Sequence, residues 1–391
     1  MSLRLSRLLP VAALALSLHL TACDTANTAD EYVSGVNITK LFAEPTTDET
    51  TVIRADWAGR NTSAQGVAVY KDFTYTAAAS PTGPFIPYSV RIVSHMVPSM
   101  TGAPIKHYGA IMVPAGLTGK AAVMVYNHGG DKGTSLAEAG FFAAALTPKI
   151  GTANKPIIWV VPSFRDEPLS WGPNQVPGTT VTANETVKSD GPASPWDYDV
   201  DDAIALVNVA IQQYPALVDT DKIGAMGVSR GGAVALLMGV RDDRIKRVLD
   251  MFGPTDFLGA YVRDVAVKAL NGETVSLPGF DVLNASLIQP LKAGTLSNAQ
   301  VRNQIVRRSP VYFKDKLTEP IQIQHGSADP TVFVSQADRL AQVLGATAQT
   351  SFAVGALPQY SYFRWPGGVH SPASFPQAQW IGAAQTFIAP L

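Results

Sequence analysis

The feature of the sequence that most constrains its fold is an alternation of short apolar runs with helix-like stretches, which begins near residue 90. The runs over 121–126 and 156–161 are apolar throughout, as expected of strands that are covered on both faces. Strands that alternate with helices are typical of a parallel sheet with crossover helices. The sequence therefore predicts an α/β fold with a mostly parallel, doubly wound sheet and helices on both faces.

Individual strands and helices follow from the same pattern. Helices are predicted over 198–213, over 230–240 and near 376–387. The alternation lapses over about 253–316, where apolar patches predict a small helical cap inserted over the edge of the sheet. Residues 51–88 are an N-terminal extension of the same domain, 51–391, and their pattern does not predict a shape. The predicted strands cover 90–97, 107–113, 121–126, 156–161, 222–228, 245–251, 321–325 and 360–365.

Residues 1–22 are predicted to be a signal peptide. Arg4 and Arg7 precede an apolar stretch that is too short for a comfortable transmembrane helix. The following Leu-Thr-Ala-Cys, which ends at Cys23, resembles the lipobox of bacterial lipoproteins. That resemblance implies cleavage before Cys23, lipidation of this residue, and an exported, membrane-anchored lipoprotein of the bacterial cell envelope; a plain secretory signal is the alternative. The polar residues over 23–50 are predicted to be a flexible tether.

Charge and cysteine content exclude several kinds of partner and site. The net charge is −1 and no block of Lys and Arg occurs, so nucleic acid is not an expected partner. Cys23 is the only cysteine, which excludes a disulfide within the chain.

The stretch DYDVDD over 197–202 is similar to the start of a calcium loop, but it lacks the glycine at the sixth position and has Asn208 at the twelfth. We therefore interpret it as a helix start, with acidic residues that complement the helix dipole, and expect neither a metal nor a cofactor.

The sequence IGAMGVSRGG over 223–232 isolates one serine between glycines. Gly227 and Gly231 each lie two residues from Ser229, after an apolar run and before a helix-like one. A sharp turn between strand and helix presents a serine hydroxyl as a nucleophile and leaves no room for side chains at the flanking positions. An ordinary glycine-rich turn is the alternative interpretation.

A serine nucleophile needs a base and a group that orients the base. Of the six histidines, only His370 follows the last predicted strand, in a loop that could direct it back to the serine. Asp329 follows an earlier strand end, which makes the chain order Ser229, Asp329, His370, the order expected of an α/β-hydrolase. Taken singly, Asp329 before Pro330 could be a turn residue and His370 a surface residue. Together the three residues predict a catalytic triad.

The negative charge on the substrate oxygen requires hydrogen-bond donors. The backbone N–H of Arg230 is one candidate, because this residue begins the helix after the nucleophile. The second donor is expected in the glycine-containing loop after the run 121–126, where Gly129, Gly130 and Asp131 are equal candidates.

Three segments together resemble the catalytic domain of the prolyl oligopeptidase family: NHGG at 127–130, the segment over 197–232, and the segment over 308–344. The resemblance covers about 105–390 and implies the α/β-hydrolase fold with Ser229, Asp329 and His370 as the triad. These peptidases use a tyrosine hydroxyl in the oxyanion site, and His128 occupies that position here, which favours backbone donors. Fewer than about 90 residues precede the first predicted sheet strand, too few for the β-propeller of these peptidases. The chain therefore looks more like the stand-alone esterases of the family, such as acetyl xylan esterases.

These observations predict a serine hydrolase that cleaves small carboxylic esters through an acyl-enzyme. A peptidase acting on short peptides or acylaminoacyl substrates is one alternative, and a non-catalytic surface-binding lipoprotein is another. Arg165 could contact substrate or form a structural ion pair with Asp166 or Glu167. The substrate itself is not predicted, because chemistry on a fold does not name it.

Overall fold

A ten-stranded sheet forms the centre of the computed structural model, which describes residues 29–77, 86–150, 153–173, 179–275 and 277–391. The predicted signal peptide and Cys23 lie outside this part of the chain. In chain order its strands are β1 (Gln65–Ala77), β2 (Ile86–Pro98), β3 (Pro104–Pro114), β4 (Ala121–Asn127), β5 (Ile157–Pro162), β6 (Val218–Val228), β7 (Ile245–Met251), β8 (Ile321–Gly326), β9 (Ala348–Gln349) and β10 (Tyr360–Trp365). Across the sheet the order of the strands is β9-β10-β8-β7-β6-β4-β5-β3-β2-β1.

The sheet is parallel from β5 to β9, and only β1, β2 and β3 run antiparallel to their neighbours. Side chains along β4 point alternately to two hydrophobic clusters, one on each face. Val123 and Val125 belong to the first cluster, and Met124 and Tyr126 belong to the second. Every residue of β4 is buried, as the continuous apolar run predicted.

Helices cover both faces of the sheet. Residues of α4, α5 and α10 pack in the first cluster, and residues of α3 and α11 pack in the second. The predicted doubly wound α/β fold is confirmed, and all eight predicted strands are present. The helices are α1 (Ile38–Leu41), α2 (Thr47–Ala58), α3 (Leu136–Leu146), α4 (Tyr198–Gln213), α5 (Arg230–Arg241), α6 (Ala260–Leu270), α7 (Phe280–Leu283), α8 (Gln289–Lys292), α9 (Asn298–Val306), α10 (Ser335–Leu344) and α11 (Gln377–Ile388).

Smaller elements complete the described part of the chain. A π-helical turn, Asn284–Ile288, joins α7 to α8, and a 3-10 helix, Pro310–Lys316, follows α9. The region predicted as a cap, 253–316, therefore is mainly helical where it is described. The remaining strands are Tyr32–Val33 with Val36–Asn37, Lys149–Ile150 with Ala153–Asn154, and a three-stranded sheet of Thr134–Ser135, Pro168–Trp171 and Glu185–Lys188.

The segment before α2 differs from the predicted flexible tether over 23–50. Ile38 and Leu41 on α1 are fully buried in the first hydrophobic cluster. Arg302 on α9 donates hydrogen bonds to the carbonyl oxygens of Lys40, Leu41, Ala43 and Glu44, and it pairs with Glu49. The segment is mostly polar in composition, which led to the prediction of a tether. Its few apolar residues are at helical spacing, and they pack the segment against the helices over 260–306.

The N-terminal extension takes a form that its pattern did not predict. Helix α2 packs with Ile53 and Trp57 against the first cluster, and β1 pairs with β2 at the edge of the sheet. Within the described part of the chain, no helix combines the length and the apolar character needed to cross a membrane.

Candidate active site

The turn between β6 and α5 holds Ser229 in a strained conformation. Its φ is 53° and its ψ is −122°, values that a residue with a side chain rarely adopts. A Cβ atom built on Gly227 would lie 2.0 Å from the carbonyl oxygen of Gly231, and one built on Gly231 would lie 2.0 Å from that of Asn127. Glycine is therefore required on both sides of the serine, as the spacing predicted.

The structure brings together the three residues that the sequence predicts as a triad. His370 Nε2 lies 2.8 Å from Ser229 Oγ, and His370 Nδ1 lies 2.7 Å from Asp329 Oδ2. Asp329 follows β8 and His370 follows β10, while Ser229 follows β6. Because the carboxyl ends of parallel strands meet at one edge of a sheet, residues far apart in sequence reach each other there.

The carboxylate of Asp329 is held ionised by several donors. Burial opposes its charge, but hydrogen bonds from His325 and His370 outweigh burial and hold the pKa of Asp329 well below its ordinary value. The backbone N–H groups of Thr331 and Val332 donate to Oδ1 at 2.8 and 3.0 Å. An ionised carboxylate accepts the Nδ1 proton of His370, which leaves Nε2 free to accept the serine proton.

A second histidine contacts the same carboxylate. His325 is fully buried, and its Nε2 lies 2.8 Å from the carbonyl oxygen of Val332 and 3.3 Å from Asp329 Oδ2. Both neighbours are acceptors, so Nε2 carries a proton. Sequence reasoning did not assign this residue a function, although its position in HGSAD, four residues before Asp329, was a usable signal.

A buried ionic network connects the helix after Ser229 to the loop after β4. The Arg230 guanidinium donates to both carboxylate oxygens of Asp199, at 2.7 and 2.8 Å, and also to Glu167. Burial opposes the charge on Arg230, but Asp199 and Glu167 outweigh it and raise its pKa. Glu167 in turn lies 3.1 Å from Nε2 of the buried His128. The network therefore fixes these elements relative to the nucleophile.

The loop over 127–131 approaches the nucleophile closely. A Cβ atom built on Gly129 would lie 3.2 Å from the Cβ of Ser229, and Gly130 has a φ of +71° that favours glycine. Arg230 Nη1 donates to the carbonyl oxygen of Gly130 at 3.2 Å. Asp131 points away toward the cap region, where its carboxylate accepts the N–H of Gly279 at 3.4 Å. Gly129 and Gly130 thus adjoin the site, and the use of the Gly129, Gly130 or Asp131 N–H as an oxyanion donor stays a prediction, as does that of the Arg230 N–H.

Two cavities meet at Ser229. The first has a volume of about 90 Å³ and is lined almost entirely by apolar side chains, most of them from the helices over 260–306. The second is more open, and it is lined by Gly129, Gly130, Phe252, His370 and further residues of the same loops. Ser229 and Pro278 line both cavities. A substrate bound at Ser229 can therefore place one part in each.

Several predicted contacts have other partners. Arg165 does form a structural ion pair, but its partner is Asp202 at 2.6 Å rather than Asp166 or Glu167. The DYDVDD stretch does begin a helix, although its acidic side chains are buried against arginines instead of facing solvent. Asp197 and Asp201 both pair with Arg60, and Asp199 pairs with Arg230 as described.

Other polar side chains near the site are structural. Tyr126 donates its hydroxyl proton to Glu138 and is fully buried. His95 and His107 are buried, and burial lowers the pKa of each to about 3. Among the described residues, no group of three or more His, Cys, Asp or Glu side chains could hold a metal ion.

Comparison with known proteins agrees with this architecture. A family model described as BD-FAE matches residues 185–344. The structure is similar to acetyl xylan esterase 1 from Thermoanaerobacterium sp. JW/SL YS485, with a TM-score of 0.53 and 12% identity, over 90% of this chain and 98% of that chain. No significant match to a curated protein sequence was found. The fold is that of the α/β-hydrolases, as the sequence predicted.

Two further solved structures give lower scores. An acetyl xylan esterase from Paenibacillus sp. R4 has a TM-score of 0.49 and 16% identity, over 85% of this chain and 93% of that chain. The Pyrococcus horikoshii acylaminoacyl peptidase has a TM-score of 0.47 and 14% identity, over 83% of this chain and 47% of that chain. The assignment of the fold depends on the first structure and the family model.

Replacement of Arg230 by Met tests the buried network. The variant leaves Asp199 and Glu167 buried without their cation, so the free energy of unfolding should fall by about 3–5 kcal/mol, measured by urea denaturation. Arg91→Met is the control, because Arg91 pairs with a half-exposed Asp72 and should cost less than about 1 kcal/mol. Equal losses in the two variants would contradict the role of Arg230 in compensating the buried charges of Asp199 and Glu167.

Proposed function

We propose that the protein is a serine hydrolase that cleaves carboxylic esters through an acyl-enzyme intermediate. The observation that carries the proposal is the hydrogen-bonded relay from Ser229 Oγ through His370 to Asp329, with distances of 2.8 and 2.7 Å. A serine hydroxyl is a weak nucleophile by itself, and a base at this distance activates it. The strained turn supports the same role, because strained backbone is concentrated at functional sites.

The reaction proceeds in two halves. Ser229 Oγ attacks the ester carbonyl carbon while its proton passes to His370 Nε2, and Asp329 stabilises the resulting imidazolium. His370 then gives this proton to the leaving oxygen as the carbon–oxygen bond breaks, and the alcohol departs. In the second half, a water molecule gives a proton to His370 and attacks the acyl-enzyme. The acid is released, and the proton returns to Ser229.

Backbone N–H groups stabilise the negative oxygen in each half of the reaction. The N–H of Arg230 lies at the start of α5, where the helix dipole favours negative charge. Gly129, Gly130 or Asp131 supplies the second N–H, since this loop lies next to Ser229 and Arg230 holds it by a hydrogen bond. Removal of one such donor typically costs about 3–4 kcal/mol of transition-state stabilisation.

The two cavities receive the two parts of the ester. His370 must reach the leaving oxygen to protonate it, and His370 lines the open cavity. The alcohol part therefore occupies the open cavity, and the acyl part occupies the apolar cavity under the helices over 260–306. Similarity to a known enzyme also favours an ester substrate over a peptide substrate, since the solved structure with the TM-score of 0.53 is an acetyl xylan esterase.

Hydrolysis of 4-nitrophenyl acetate and butyrate tests the reaction. In the purified full-length protein, Ser229→Ala should lower kcat/KM by roughly 10⁴-fold or more, because the nucleophile is lost. Ser89→Ala, on the exposed side of β2, is the control and should retain full activity. Equal rates in wild type and Ser229→Ala would contradict the proposal, and cleavage of aminoacyl anilides alone would favour the peptidase instead.

We also propose that lipid on Cys23 anchors the enzyme to a membrane of the cell envelope. The sequence of residues 4–23 supports this, with two arginines, an apolar stretch and the Leu-Thr-Ala-Cys segment. Attachment of acyl chains to this residue gives stable anchoring when more than one chain is present.

Metabolic labelling with radioactive palmitate in a bacterial host tests the anchor. The wild-type chain should carry label and sediment with membranes, whereas Cys23→Ser should carry none and remain soluble. Asp24→Asn, at the neighbouring position, should keep the label. Unlabelled wild-type protein in the soluble fraction would indicate the plain secretory signal.

A further inference from the structure

Arg308 is a buried arginine beside the apolar cavity at Ser229. It follows α9, its side chain is only 4% exposed, and it lines the same cavity as Ser229. It also lines a larger cavity, together with polar residues of α9, so it borders both cavities. A guanidinium is an unusual group to place in a cavity whose other walls, apart from Ser229, Arg230 and Thr331, are apolar.

The guanidinium of Arg308 is fixed in position by neutral acceptors. Nε donates to the carbonyl oxygen of Pro195 at 2.9 Å, and Nη1 donates to the carbonyl oxygen and the side chain of Gln304 at 2.7 and 2.9 Å. From Nη2, no hydrogen bond is found to any residue that the structure describes. One edge of the guanidinium thus keeps a free donor while its plane is held rigid.

The charge of Arg308 has no carboxylate partner among the described residues, since none of their carboxylate oxygens lies within 4.0 Å. The adjacent Arg307 pairs with Asp56 at 2.9 Å and with Asp197 at 3.5 Å, and Arg60 also pairs with Asp197. The nearby carboxylates are thus occupied by other arginines. Buried charges are ordinarily paired, because an isolated one is costly.

Electrostatics at Arg308 favour an anion. Burial lowers the pKa of Arg308 to about 10; Asp197 offsets part of this effect, and the charge of Arg307 adds to it. The side chain is therefore still a cation at neutral pH, but an incompletely compensated one. A ligand carboxylate would supply the missing charge and accept the Nη2 proton, as arginine does for carboxylates elsewhere.

The cavity that Arg308 and Ser229 share is lined mainly by apolar side chains. Phe257, Val265, Phe280, Leu287 and Ile305 are among the side chains that line it. A ligand that fills this cavity needs an apolar body, a carbonyl at the serine end and an anionic group at the arginine end. A purely apolar acyl chain would leave the Arg308 charge buried and unpaired.

We propose that Arg308 binds a carboxylate at the far end of the acyl group, so that the enzyme prefers half-esters of dicarboxylic acids to neutral esters of the same length. The proposal rests on the proposed function, because it assigns the acyl group of the ester to the apolar cavity. It makes Arg308 a residue that determines substrate specificity rather than one that takes part in the chemical step.

A matched pair of esters tests this preference. The pair is 4-nitrophenyl hydrogen adipate and its distal methyl ester, which differ in the charge at the end of the acyl chain; the corresponding suberates extend the length. For wild type, kcat/KM should be roughly 10–100-fold higher for the anionic member, the range expected for a hydrogen bond to a charged group. A ratio near one at both lengths would overturn the proposal.

Variants assign the preference to this residue. Arg308→Met should bring the ratio of anionic to neutral kcat/KM close to one, and Arg308→Lys, which keeps the charge without the planar fork, should give an intermediate ratio. Arg91→Met removes a positive charge from the pair with Asp72 on the surface and should leave the ratio as in wild type. A ratio that is the same in Arg308→Met as in wild type would overturn the proposal.

Binding separates this proposal from the proposed catalysis. In the Ser229→Ala background, calorimetry with monomethyl adipate and with the neutral dimethyl adipate measures recognition without turnover. Tighter binding of monomethyl adipate that is lost in Ser229→Ala with Arg308→Met, and only weakened in Ser229→Ala with Arg308→Lys, would support recognition by Arg308 even if ester hydrolysis failed. Equal binding of the two esters would contradict recognition even if hydrolysis were observed.

Discussion

The close contact of three backbone segments at Ser229 is the constraint on which the rest of the site depends. Strand β6, helix α5 and the end of β4 approach so closely that a methyl group at Gly227 or Gly231 would overlap a carbonyl oxygen. This approach forces the positive φ of Ser229 and lifts its hydroxyl above the sheet edge. His370 and the loop over 127–131 complete the site by lying next to this hydroxyl.

Buried ion pairs near the start of α4 stabilise the arrangement of these segments. The N-terminal part of α4 provides Asp199 to Arg230 and Asp202 to Arg165, both in the interior. Such pairs contribute little net stability compared with apolar packing, because desolvation offsets most of the attraction. Their geometry is nevertheless directional, and Arg230 bridges α4, Glu167 and the carbonyl of Gly130. The network thus specifies where the loop next to Ser229 lies.

Local pattern was enough to predict the strands and the positions of the three site residues. Continuous apolar runs such as β4 mark buried strands, and residues that follow parallel strands meet at one edge. Ser229, Asp329 and His370 were found by this argument, and they lie within hydrogen-bond distance.

Partners that depend on tertiary structure could not be predicted in the same way. Arg60 pairs with Asp197 across 137 positions of sequence, and nothing local marks either residue. Ile38 and Leu41 are two apolar residues in a polar segment, so composition predicted a tether where the structure has packing. The same limit applies to Arg308, whose significance depends on which carboxylates its neighbours Arg307 and Arg60 already occupy.

The most direct measurement is the site and rate of modification by a fluorophosphonate, which reacts with a serine only when a base has activated it. Mass spectrometry of the digested protein should find one adduct, on the peptide that contains Ser229. Replacement of His370 by Ala should slow its formation by orders of magnitude while the fold is retained. An unmodified Ser229, or equal labelling rates with and without His370, would contradict the account.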